Sequence, residues 1–172
     1  MHSSRGLSIC LASVAFVSLL LAGCHRSGDT QLIDGFHSYE TLEQVKSRLS
    51  NIDRREQWRE EKQEVDPSDR RPAHLFVHLI GNFKHVGQQG ILDLTFYNNR
   101  LMETQFSPYS GELYKDALRK QGLPVPPEPG KQIRISPRTT FSYYNNSDGT
   151  FRFVWDDSAL EQEWNDWVAK YS

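Results

Sequence analysis

Cysteine and histidine are the residue types that could carry nucleophilic or metal chemistry here, and the chain holds two and six of them in 172 residues. Cys10 lies inside an apolar stretch, and Cys24 closes the run Leu20-Leu21-Ala22-Gly23. His74 and His78 flank the β-rich run Leu75-Phe76-Val77, with His85 close behind. Pro72 before this run, its Val, Ile and Phe content and Gly81 after it predict a strand, in which His74 and His78 share a face but sit about 13 Å apart. Zinc takes its ligands at ~2 Å, so no metal centre is expected, and these are half-exposed strand histidines. Asp156-Asp157 and Glu60-Glu61 are sequence neighbours. In a strand such neighbours point to opposite faces and in a helix about 100° apart, so neither pair predicts a catalytic dyad. GxGxxG, Walker, HExxH, nucleophile-elbow and CxxC patterns are all missing, so no catalytic or cofactor-binding residue is expected. A formal net charge of -2 and a pI near 6.3 argue against a nucleic-acid partner.

What must position Cys24 is the segment before it. Residues 1–6 carry Arg5 and no acid, and residues 7–22 are apolar apart from serines and Cys10. A charged start, a short apolar run and a small-residue end describe a leader rather than a spanning helix, which needs ~20 mostly apolar residues. Leu21-Ala22-Gly23-Cys24 resembles the lipobox of bacterial lipoproteins. That resemblance implies diacylation of the Cys24 thiol, cleavage just before it, and usually acylation of the new amino group. Residues 1–23 are then the signal peptide, 24–33 the lipidated Cys and a polar tether, and 34–172 one domain. The mature chain is expected to hold no free thiol and no disulfide, which removes thiol catalysis. Two or three acyl chains exceed the two signals that lasting attachment needs, so the protein is expected to be anchored to a membrane without spanning it. In the lipoproteins of enteric bacteria an Asp after the lipidated Cys retains the protein in the inner membrane; His25 stands here, which implies the outer membrane, facing the periplasm.

The remaining segments alternate between helical and strand periodicity. Leu42, Val45 and Leu49 form a stripe in a helix over 38–49, with Thr41 and Gln44 as a capping box. Residues 51–71 mix charges of both signs and read as a solvated face or exposed strand. Strands over 91–97 and 101–106 flank Asn98-Asn99-Arg100. A three-residue loop, or an equivalent bulge, pairs Phe96 with Met102, Leu94 with Thr104 and Leu92 with Phe106. That parity leaves Asp93, Thr95, Tyr97, Glu103 and Gln105 on a wet second face. A helix over 112–120 follows, with Ser110 as N-cap, Gly122 as its stop, and Leu113 and Ala117 facing inward, joined by Tyr114 and Leu118 as further inward candidates. The Pro-rich stretch 123–130 reads as a stiff connector. A five-residue loop at 145–149 would pair Tyr143 with Phe151 and Phe141 with Phe153, building an aromatic face. The last helix, capped by Ser158 and Glu161 and striped by Leu160, Trp164, Trp167, Val168 and Tyr171, is expected to cover that face.

This order predicts an α+β fold: an antiparallel sheet of a meander plus a C-terminal hairpin, with helices packed on one face. The run 41–49, the Trp58 region and the run 90–101 resemble the helix and sheet pattern of the SmpA/OmlA (BamE-like) small outer-membrane lipoproteins. That resemblance implies a non-enzymatic accessory role in β-barrel assembly or envelope integrity. The Gly-Pro turn usual after the family's first helix is missing, and residues 123–172 have no counterpart in it. The expected function is a lipid-anchored, non-catalytic envelope protein whose partner-binding face carries Asp93, Thr95, Tyr97, Glu103 and Gln105. The alternatives are an envelope hydrolase or glycan-binding module using His74, His78 and the Trp-rich C-terminus, which requires Trp164 or Trp167 to be exposed, or an inhibitor that enters a periplasmic enzyme through the 145–149 loop.

Overall fold

The computed structural model describes residues 30–52, 58–64, 68–69 and 71–172. The leader, Cys24 with its lipobox, tether residues 25–29 and parts of the charged segment lie outside the described residues. Helix α1 (Leu42–Ile52) is followed by β1 (Arg59–Lys62), β2 (Phe76–His85), β3 (Gln88–Tyr97) and β4 (Arg100–Pro108). Then come α2 (Gly111–Lys120), β5 (Ile133–Arg134), β6 (Thr139–Asn145), β7 (Phe151–Asp157) and α3 (Ser158–Tyr171). Among the described residues the seven strands form one antiparallel sheet in the order β1-β2-β3-β4-β7-β6-β5. The α+β class expected from the element order is the class observed.

The first face of the sheet is the core. Val77, Leu79, Leu92, Leu94, Phe96, Phe106, Phe141, Phe153 and Trp155 bury together beneath Val45 of α1 and Tyr114 and Leu118 of α2. The capping box of α1 forms as expected: Gln44 Oε1 accepts from Thr41 N at 2.8 Å, and Thr41 Oγ1 accepts from Gln44 N at 3.3 Å. Leu42, Val45 and Leu49 are buried along its inner stripe. Helix α2 ends in a Schellman arrangement, with Leu123 N bonded to Leu118 O and Gly122 N to Arg119 O, and Gly122 at φ +71°. Of the residues expected to face inward, Tyr114 and Leu118 are buried and Leu113 is not. A Cβ on Gly111 would meet the Phe151 ring at 2.1 Å, so the helix starts tight against β7 and turns Tyr114 and Leu118 inward. Leu113 is consequently 59 % exposed. Ser110 occupies the N-cap position, but its side chain makes no capping hydrogen bond.

Two hairpin registers refine the parity argument. Asn98 and Asn99 both take positive φ, giving a two-residue turn, and a bulge between Thr95 and Phe96 restores the parity. Leu94 therefore faces Thr104 and Leu92 faces Phe106 as expected, while Phe96 faces Leu101 instead of Met102. The last hairpin is displaced by two residues: Tyr143 faces Phe153, Phe141 faces Trp155, and Asn145 continues the strand opposite Phe151. The turn residues explain the displacement. Asn146 N bonds Thr150 O, Asp148 Oδ1 accepts from Thr150 N and Oγ1, and Gly149 has φ +81°, so the loop is 146–150.

Helix α3 lies on the opposite face from the one expected. Leu160 and Trp164 pack with Phe76, Tyr97 and Met102, whose parity is the reverse of the core residues beside them. The aromatic face of β6 and β7 is already occupied by Tyr114, whose ring centroid is 4.6 Å from Phe153, and β7 runs into α3 without a loop. The N-cap is Asp157, not Ser158: its carboxylate accepts from Ala159 N and Leu160 N, and both its oxygens bond Arg138 Nη2 at 2.9 Å. Residues 30–33, which the polar tether was expected to include, belong to the packed body. Leu32 and Ile33 are buried, and Thr30 Oγ1 lies 2.7 Å from Thr139 Oγ1.

Candidate functional site: a carboxyl pair on the second sheet face

The second face is only partly covered by α3, and the middle strands place a compact group of titratable side chains beside the covered part. β3 contributes Asp93 and Thr95, and β4 contributes Glu103 and Gln105, directly opposite Thr95 and Asp93 respectively. β2 adds His78 opposite Thr95, and β7 adds Asp156 opposite Glu103. The register of four neighbouring strands thus lines up His78, Thr95, Glu103 and Asp156 across the sheet, with Asp93 one step along.

His78 Nδ1 lies 3.1 and 3.3 Å from the two Asp93 carboxylate oxygens and 3.4 Å from Thr95 Oγ1. The hydrogen bond to Asp93 raises the imidazole pKa above its ordinary value, against the opposing effect of burial, with the fields of Glu103 and Glu61 adding to the rise. Glu103 and Asp156 are hydrogen-bonded to each other. Burial raises the pKa of both, and mutual repulsion pushes Asp156 further. Glu103 is pulled back in part by its bonds to Asp156 and Thr95 and by His78. Like charges directly opposite in a sheet destabilise it, and two touching carboxyls relieve this by holding one proton between them. The outcome is a carboxyl pair that keeps a proton above the usual carboxylate range, next to the hydrogen-bonded His78 and Asp93. This arrangement can accept a cationic group, donate a proton, or take one up.

The structure brings together Asp93, Thr95 and Glu103 of the five residues expected on this face, with half-buried Gln105 beside them. Tyr97 shares the face but is 2 % exposed, because Trp164 and Phe76 cover it. Asp156 is the residue that sequence reasoning missed. Its partner lies on a strand 53 positions earlier, and only the β4–β7 register joins them. The alternation of Asp156 and Asp157 across β7 was visible, and it sends Asp157 to the helix cap and Asp156 to this cluster.

The three histidines occupy three surroundings. His78 is in the cluster, His85 is buried on the core face, and His74 packs at a tilt against Trp167 with centroids 3.9 Å apart. Among the described residues no group of three His, Cys, Asp or Glu side chains is placed to hold a metal ion. Trp164 and Trp167 are half-buried and stacked on one another at 5.4 Å, and Trp167 Nε1 donates to Pro72 O at 3.2 Å. Their ring surface is largely spent on His74, Phe76 and each other. The 145–149 stretch divides between the end of β6 and a turn braced by Asp148 and Thr150. The outer sheet edge at β1 presents Arg59, Glu61 and Lys62 to solvent, a charged edge that discourages strand addition. No family model, curated protein or solved structure matches this chain, so the reading of the site rests on its own geometry.

Proposed function

We propose that the protein is a non-catalytic cell-envelope lipoprotein, anchored through lipid on Cys24 in the outer membrane and facing the periplasm, that binds another envelope protein through the open part of its second sheet face. The observation that carries this reading is the Glu103–Asp156 pair. Burying two carboxyls against each other costs folding stability, and such perturbed groups concentrate at functional sites. A partner that inserts a lysine or arginine between them would replace the shared proton with a charge-assisted hydrogen bond. The leader and lipobox support the address, and the resemblance to small outer-membrane lipoproteins supports an accessory role.

The test is mild-detergent purification of the crosslinked protein from native membranes, with co-purifying proteins identified by mass spectrometry. Recovery of a stoichiometric envelope partner is expected with the native chain. It should fall at least tenfold with Glu103→Gln/Asp156→Asn, and with Cys24→Ala if co-localisation is required. A partner recovered equally well with the paired amides would sink this face as the binding site. The same pair favours a second reading, an acid–base hydrolase of an envelope polymer, since two carboxyls sharing a proton can act as general acid and general base. Turnover of such a polymer that is lost in Asp156→Asn, with a bell-shaped pH profile in the native chain, would replace the first reading with the second.

A further inference from the structure

On the core side of the sheet, away from the carboxyl pair, a cleft of about 950 Å³ opens between residues 30–37, the C-terminal end of α2 and the β5–β6 turn. This stands at the upper end of the roughly 300–1,000 Å³ typical of small-molecule sites. Ile33, Leu118, Phe141 and Trp155 form buried parts of its lining, and Leu123 and Ile135 are exposed at its rim. Asp34 and Arg134, also lining residues, are exposed and of opposite sign, so they give no preference for a charged ligand.

One polar group buried to 7 % exposure lines this apolar space, the imidazole of His85. Its Nδ1 lies 2.6 Å from the hydroxyl of Tyr114, which is fully buried and has this nitrogen as its hydrogen-bond partner. Burial drives the phenol pKa upward and the imidazole pKa downward, so both groups are neutral. The phenol O–H must donate to satisfy its proton, which makes Nδ1 the acceptor and leaves the ring proton on Nε2. Nε2–H makes no hydrogen bond among the described residues and is not sealed from solvent, so it stands as a donor open to a molecule in the cleft. The cleft thus offers one hydrogen-bond donor beside its apolar lining, which suits a ligand with one acceptor on an otherwise apolar body.

We propose that this cleft binds a single acyl chain, with the hydrocarbon along the Leu118, Phe141 and Trp155 lining and the acyl carbonyl oxygen accepting from His85 Nε2–H. The choice of an acyl chain rests on the anchor reading above. Thr30 lines the cleft six residues from Cys24, so a lipid-anchored protein holds the cleft within ~20 Å of a bilayer, at ~3.3 Å per residue. A free fatty acid and one chain of a phospholipid share this chemistry.

Full-length protein in phosphatidylcholine vesicles, carrying either palmitic acid or phosphatidylcholine with a photoactivatable diazirine in the chain, tests the proposal. After irradiation, peptide mass spectrometry is expected to find adducts on the stretches holding Leu118, Phe141 and Trp155. Adducts from the free acid alone assign the ligand as a fatty acid, and adducts from the phospholipid assign it as a bilayer lipid. Either yield should fall at least tenfold in Leu123→Asp/Ile135→Asp, whose exposed positions leave the fold intact, with an unchanged melting curve as the control. His85→Phe, which removes the donor, should lower it several-fold. Adducts confined to residues outside the cleft, or a yield unmoved by the rim variant, would overturn the proposal. Free palmitate reaches the cleft without the anchor, so adducts retained in Cys24→Ala protein that has left the membrane fraction uphold the cleft. Cys24→Ala protein that stays in the membrane fraction refutes the anchor reading, and with it the choice of an acyl chain.

Discussion

The two faces of one sheet are built on opposite principles. The core face carries aromatic and aliphatic side chains sealed by α1 and α2, with Phe141 stacked on Trp155 at 4.4 Å and 11°. The second face carries His78, Asp93, Glu103 and Asp156 beside a small apolar cluster under α3. The same strands make both, since alternate residues point to alternate sides. The core face is where folding free energy is gained, and the second face is where some of it is given up to hold ionisable groups close together.

The largest expected effect breaks the core face. Phe153→Ala deletes a fully buried ring that touches Tyr114, Tyr143 and Phe141. It should cost about 3–5 kcal/mol in urea unfolding; a loss below about 1 kcal/mol would mean the aromatic layer is not packed as described.

The second prediction uses pH to separate the faces, because His85 of the core face and the cluster on the second face shift with opposite sign. Glu103, Asp156 and His78 have raised pKa values, so the folded state holds more protons than the unfolded chain. Their contribution is fully present below the unfolded pKa values and is lost as pH rises through the folded ones. On the core face His85 is lowered by burial, so its contribution is present above about pH 6.5 and lost as pH falls through its folded pKa. Glu103→Gln/Asp156→Asn should therefore flatten the alkaline side of the stability curve and leave the acid side in place. At pH 8 a gain on the order of 1–3 kcal/mol over the native chain is expected. Urea midpoints that shift equally at pH 5 and pH 8 would show that the pair does not hold its proton.

The smallest effect sharpens the contrast from within the core. Thr104 shares the core face with Leu94 and Trp155, and its buried hydroxyl has no hydrogen-bond partner among the described residues. Thr104→Val keeps the shape and removes the unmatched polar atom, so it should stabilise by about 1 kcal/mol. Destabilisation would reveal a partner for that hydroxyl, and with it a polar path through the sheet.

Legibility in the sequence tracked how local each determinant is. The Thr41–Gln44 box, the Gly122 stop and the parity of Asp93, Thr95, Glu103 and Gln105 depend on residues a few positions apart, and all were readable. The displaced last hairpin was decided by side-chain bonds within the turn, where Asp148 and Thr150 outweighed a count of loop residues. Asp156 and the side chosen by α3 were out of reach for one shared reason. Each depends on which strand lies beside β4, a contact between residues about 50 positions apart that leaves no local periodicity. Tyr97 was assigned to water by parity alone, and parity says which face a residue occupies but not what lies over it.

Thr30 is stitched to the β5–β6 turn by its hydroxyl, through Thr139 and Ser136, and to Ser38 by its backbone. Mechanically this is a load point. Any pull along the chain upstream of Thr30 enters the body at the β5–β6 corner and is shared with the strap that closes at Ser38, so it does not peel that strap away one residue at a time.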